Sequence, residues 1–269
     1  MENSLKLEPF GFLRRLRSML RVDGRRILKS KLFYIIIACA LVMPIIMTVM
    51  MAMMDGSVSV DHVTGAETVM VGPENTWQNI GTLPGGEAMG GMDVFAMCNI
   101  NMAFMGVCVF VCIFISDDFR SGYAKNLFAV RAKKSEYVIS KTLYGTLCGA
   151  LMLILYFLGS VLGGAIAGLS FELHGLGAMN LIMCMLAKIF LMPVFVSIFT
   201  LVSVLAKERA WLAICASLGG GMLLFMTVGM ITPLSSTLIN VLLSLVGGAL
   251  FATGLGAVSN TVLKKTKLV

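Results

Sequence analysis

Long uncharged runs constrain this chain more than any other feature. "LFYIIIACALVMPIIMTVMMAMM", residues 32 to 54, holds no charged side chain and shows no alternation of polarity. A helix needs about 20 such residues to cross the hydrocarbon core of a bilayer. Runs that meet or approach this length occupy 32–54, 94–116, 143–169, 189–206, 210–231 and 237–263. A membrane β-barrel would show segments of about 10 residues that alternate in polarity instead. The expectation is an all-α integral membrane protein of six transmembrane helices, occupying 32–269 behind a cytoplasmic segment 1–31. Composition agrees: 58% of residues are hydrophobic and 13% are charged, against about 25% charged in soluble domains.

Positive charge gives the orientation, because Lys and Arg collect in short cytoplasmic segments. Of the 21 Lys and Arg, nine precede the first run, six lie between 117 and 142, and Lys207, Arg209, Lys264, Lys265 and Lys267 follow later runs. In a six-span layout these all fall on one side. The opposite segments, 55–93 and 170–178, have no Lys or Arg and carry seven of the 14 acids. Both termini are therefore expected in the cytoplasm, in a multi-pass protein of the cell membrane. The net charge of +7 is explained by this topology and by anionic lipid headgroups, with no nucleic-acid partner. The strongly basic start and the late, long first run do not read as a cleavable signal, so the first span is expected to stay.

Ahead of that span, Phe12, Leu13, Leu16, Met19 and Leu20 recur at helical spacing, with Arg14, Arg15, Arg17 and Arg21 on the other face. This predicts an amphipathic helix in the headgroup layer, either a topological anchor or an elbow that passes motion to the first span. The outer segment 55–93 has 39 residues, eight of them Gly; lid, vestibule and tether are all open to it. Trp77 is expected at the outer interface. Lys188 lies 19 residues before Lys207, about 28 Å along a helix, so the plain reading is a lysine snorkelling to the outer surface; a buried pairing or substrate contact is the alternative. Asn99 and Asn101, near the start of the second run, read as helix glue or as substrate contacts. The glycines of the third, fifth and sixth runs allow close helix approach, and Pro44 and Pro193 should kink their helices.

Much chemistry is missing. The chain has no phosphate-binding G-x-x-x-x-G-K-[ST] loop. "SLGGGM", 217–222, superficially resembles an ATPase signature but lies in an apolar run. His62 and His174 have no neighbours at metal-ligand spacing, and Cys108 and Cys112 lack further ligands. The seven cysteines read as small core residues. Apart from Lys188 no ionisable group sits within the spans, which disfavours an intramembrane enzyme or an ion-driven carrier. Neither a catalytic residue nor a cofactor or metal site is expected in this chain.

The polar island between the second and third runs stands out. In "DDFRSGYAKNLFAVRAKKSEYVISK", Asp118, Phe119, Arg120, Ser121, Gly122, Lys125, Asn126, Leu127 and Lys141 form a segment that resembles the one following the second span in membrane subunits of ABC type 2 exporters, the permease family that includes bacitracin and lantibiotic transporter subunits. Tyr123 stands where Thr is common, and "RAKK" where Pro-x-Ser-Arg is usual. The basic approach "RRILKSKLFYIII" and the six-span layout extend the resemblance along the chain.

That resemblance implies a coupling segment, 117–142, docking on a separate cytosolic ATPase that binds ATP and Mg, and a second permease subunit completing a homo- or heterodimer. Asp118, Phe119, Arg120, Gly122, Lys125, Asn126, Leu127 and Phe128 are its candidate coupling residues. On chemistry alone, Phe119, Leu127 and Phe128 are apolar anchors suited to a partner's groove. The 22 methionines make adaptable apolar walls, suited to a lipophilic or amphipathic substrate such as a peptide, and the resemblance adds an antimicrobial as the other candidate. The rival reading is a sensor or scaffold whose island binds a cytosolic protein without transport.

Overall fold

The computed structural model describes residues 11–60, 67–69, 72–81, 99–130 and 133–265. Eight α-helices account for most of them: α1 (Phe12–Lys29), α2 (Lys31–Met53), α3 (Met102–Arg120), α4 (Tyr123–Val130), α5 (Lys134–Ala167), α6 (Ala178–Ala206), α7 (Ala210–Ile231) and α8 (Leu238–Lys265). Helices α2, α3, α5, α6 and α8 are long and apolar enough to cross a membrane. Helix α7 is 22 residues long, and its Ala210–Gly221 stretch is a shorter apolar helix. Two three-residue strands, β1 (Val58–Val60) and β2 (Glu67–Val69), pair antiparallel beyond α2.

Several helices outrun their apolar stretches. Helix α5 begins at Lys134, not near 143, and α6 at Ala178, not 189. The second run was placed at 94–116; residues 94–98 lie outside the described set, and the helix runs from Met102 to Arg120. A hydropathy window stops at a charge, whereas a helix continues wherever that charge finds a partner. Lys134 Nζ donates to the Leu263 carbonyl at 2.6 Å, and Glu136 accepts from Arg15 Nε at 2.8 Å. The expected loop 117–142 is therefore mostly helical, and only short connections flank α4.

Helices α3 and α6 sit centrally, and Phe104 and Phe195 meet between them at 4.7 Å. Helices α2 and α8 present long apolar faces outward, as in Ile35, Val42 and Ile46, or Ile239, Leu243 and Leu250. Such all-apolar exposure suits lipid and not water.

Glycine sets the α2–α5 seam. A Cβ on Gly159 would overlap the Leu41 carbonyl oxygen and come within 2.6 Å of Pro44 Cγ. A Cβ on Gly163, one turn on, would come within 3.0 Å of both Ile45 Cα and Thr48 Cβ. This is small-xxx-small packing inside one chain. By contrast Gly219, Gly220, Gly247 and Gly254 face open space. Gly159→Val is expected to destabilise the protein by about 1–3 kcal/mol or more, read as an earlier thermal transition in detergent. Gly254→Val should leave the transition nearly unmoved.

Residues 75–77 of the outer segment are docked. Asn75 Nδ2 donates to the Glu172 carbonyl at 2.6 Å, and Trp77 Nε1 to that of Phe171 at 2.8 Å. Trp77 also stacks on Phe157. Thr76 is wholly buried against Gly164, where only a residue without Cβ fits. A free tether is excluded for residues 72–81.

Candidate functional site

Two groups of buried polar side chains lie among the helices. At the basic end α1, α3 and α5 meet. Ser30, extended at φ −78° and ψ 121°, is the single residue separating α1 from α2. The inward stripe of α1 is Met19, Asp23 and Ile27, while Phe12 and Leu13 face outward, with Leu16 and Leu20 half-buried between. Of the expected elbow residues, therefore, only Met19 is in the core.

Asp23 carries the contact into the bundle. Its Oδ2 accepts from Ser140 Oγ at 2.6 Å and its Oδ1 from Lys141 Nζ at 3.0 Å. Lys141 Nζ also lies 2.7 Å from Asp118 Oδ2, which accepts from the Tyr137 hydroxyl at 3.0 Å. Arg26 completes the set, with its guanidinium 2.6 Å from Asp118 Oδ1 and stacked over Tyr123 at 4.1 Å. Asp23, Asp118 and Lys141 are fully buried. Two acids thus balance two bases, three of the four charges being wholly buried and Arg26 partly exposed, which makes the buried charges tolerable there. The Lys141 ammonium also lies 3.8 Å from the centre of the Phe114 ring, a cation–π contact.

Burial alone would lower the Arg26 pKa, but its contact with Asp118 and the Asp23 charge outweigh that and hold it above its ordinary value. Burial, together with the Asp23 charge, raises the Tyr123 hydroxyl, so it stays neutral. The cluster fastens the segment before the first span to the island that follows the second.

Two candidate coupling residues change role as a result. Asp118 is bound inside the cluster, and Phe119 is 6% exposed, edge-on to Tyr137 at 6.5 Å. Both side chains are turned inward in this chain. The reason is helical phase: α3 runs to Arg120, which places 118 and 119 on its inner face. Leu127 and Phe128 are half-buried against the core, and Phe128 is edge-on to Tyr137 at 5.4 Å. Arg120, Lys125 and Asn126 remain exposed. Gly122 has φ +72°, the left-handed conformation that glycine adopts without strain, and it turns the chain from α3 into α4. Sequence reasoning missed Asp23, Arg26 and Tyr137. A lone acid among the eight Lys and Arg of residues 9–31 was the available signal for Asp23.

At the other end, Lys188 is 1% exposed, and its Nζ donates to Asn101 Oδ1 and Thr232 Oγ1, each at 2.9 Å. The snorkelling expectation is therefore corrected. Lys188 lies ten residues inside α6 and points at the ends of α3 and α7, so these neutral oxygens replace its water. Asn99 Oδ1 accepts from the Asn101 backbone N–H at 2.9 Å, bracing the start of α3.

No group of three or more potential metal ligands occurs among the described residues. Cys112 Sγ and Ser217 Oγ are 3.5 Å apart; Cys39 and Cys215 are exposed.

A bundle of apolar helices with a braced polar turn at its basic end defines a multi-pass membrane protein. Residues 26–224 match the family described as ABC-2 family transporter protein, and the chain belongs to that family. It is thus a permease component of an ABC transporter, of a family whose membrane subunits are generally non-catalytic, associate with an ABC ATPase and are usually dimeric. No curated protein and no solved structure matches it.

Proposed function

We propose that the chain is the six-span permease of an ATP-driven exporter, with cytoplasmic termini in the cell membrane. A cytosolic ATPase, which binds ATP and Mg, docks on the exposed polar face of the island. Helix α1 acts as an elbow. One observation carries this reading: the buried cluster joins Asp23 and Arg26 of α1, Asp118 of α3 and Lys141 of α5 directly behind that face. A push on Arg120, Lys125 or Asn126 reaches three helices through short, charged contacts instead of dissipating in a loop. The docking face is polar, and Phe119, Leu127 and Phe128 support it from within.

The substrate is lipophilic or amphipathic, a peptide or an antimicrobial. A groove of about 310 Å³ is lined by Met43, Met47, Met102, Met105, Met152 and Tyr156, among others. Unbranched thioether chains adapt to varied apolar shapes, and the volume lies at the lower limit for small-molecule sites. A second permease subunit completes the transporter.

Reversing charge at the docking face tests the reading. Arg120→Glu with Lys125→Glu should leave thermal stability unchanged, because Arg120 is 74% exposed and its pair with Asp117 is open to water. Recovery of the ATPase with the permease should fall about tenfold, since like charges now meet across a complementary surface. Undiminished recovery and substrate-stimulated hydrolysis would remove the docking face from the island.

A further inference from the structure

A second groove, between α5 and α8 with α6 as its floor, encloses about 530 Å³. Its walls are apolar and small, with Val138 and Thr142 on α5, Pro193 on α6, and Gly248, Ala252 and Gly256 on α8. Along α8 it reaches from Asn260 back to Leu245, fifteen residues, or about 22 Å of helix. One leaflet of the hydrocarbon core is about 15 Å deep, so the groove spans the leaflet at the basic end. It is also within the size range of ligand sites.

Its basic end is cationic. Lys134 reaches across from α5 to the Leu263 carbonyl of α8 at 2.6 Å, one turn beyond Asn260, and Lys133, Lys264 and Lys265 are exposed beside it. The flanking acid, Glu136, is buried and held by Arg15, so it does not cancel this charge. Just inside, Thr142 Oγ1 and Asn260 Oδ1 are buried without a hydrogen-bond partner. Apolar depth, then polar groups, then cations is the order of an anionic lipid from tail to ester to phosphate.

We propose that this groove holds an acyl chain of an anionic phospholipid from the leaflet at the basic end, with its phosphate on Lys134, Lys264 and Lys265. Thr142 and Asn260, which line the groove, lie at the level of its glycerol-ester region. Clustered lysines at a membrane surface attract anionic headgroups. A bound tail also supports α8, whose contact with α5 is otherwise interrupted by the groove. The site is read from the chain alone and stands whether or not the island docks an ATPase.

The full chain, purified in mild detergent with phosphatidylglycerol or phosphatidylcholine added at equal amounts, is assayed by native mass spectrometry. Phosphatidylglycerol adducts should exceed phosphatidylcholine adducts about tenfold or more, from several surface cations acting together. Lys134→Gln with Lys264→Gln and Lys265→Gln should abolish that preference, and Ala252→Phe should lower retention of both lipids by filling the groove. Equal retention of the two lipids by the wild type, or an undiminished preference in the triple variant, overturns the proposal. So does Ala252→Phe turning dimer mass into monomer mass with lipid retention unchanged, which would make the groove a seat for a second copy. The triple variant alters exposed or half-exposed side chains and decides the matter alone if Ala252→Phe fails to fold.

Discussion

Lys141→Ala is expected to destabilise the protein by about 3–5 kcal/mol, the usual cost of removing one partner from a buried charge group. Asp23 and Asp118 would keep their carboxylates out of water, with only Arg26, 30% exposed, to balance them. Loss of Lys141 Nζ removes contacts at 3.0 and 2.7 Å together. Asp118→Asn alone should also be costly. The two changes combined should cost clearly less than their sum, because the second removes a charge that the first leaves unpaired. Coupling on the order of 0.5–3 kcal/mol is expected, measured by thermal or denaturant unfolding of the detergent-solubilised chain. Strictly additive losses below about 1 kcal/mol, the range of exposed pairs, would show that water reaches the cluster.

Phe119→Ala should be comparably damaging, by about 3–5 kcal/mol for a large aromatic removed from a packed core. Phe119 belongs to the buried cluster beside Tyr137. Stability and partner binding separate the two possible roles. An interior Phe119 predicts early unfolding, normal ATPase recovery by the fraction that remains folded, and substantial rescue by Phe119→Leu. A partner anchor predicts the reverse: unchanged stability and lost association. Lys125→Ala, on the exposed face, should leave the unfolding transition where it is.

Helix and membrane were legible because both follow from local quantities. An uncharged run of 23 residues in 32–54 has one solution in hydrocarbon, since every backbone N–H and C=O must be satisfied within the segment. The acidic and basic segments alternate for an equally local reason, the charge bias of short loops. The island could be singled out too, because a run of Lys, Asn and Ser-Gly between apolar stretches is anomalous wherever it folds. Gly122 carried its own signal: the turn from α3 into α4 needs a left-handed residue.

What faced what was not legible. Asp23 and Lys141 are 118 positions apart, and no spacing rule joins residues at that distance. Their pairing exists because α1 folds back beside the start of α5, which a hydropathy profile does not describe. The same limitation misplaced Lys188: its distance from Lys207 was a sound measure along the helix, but rotation about the axis decides between lipid and Asn101. Phe119 and Asp118 were read as surface groups because they stand among charges; one further turn of α3 put them inside. The sequence determined by itself that this chain crosses a membrane as helices, which ends are basic, and which segment is exceptional, since these depend on composition over about 20 residues. Only the tertiary structure decided which charges neutralise one another and which side chains are left for a partner, because burial depends on the neighbouring helices and not on the residue's own neighbours in the chain.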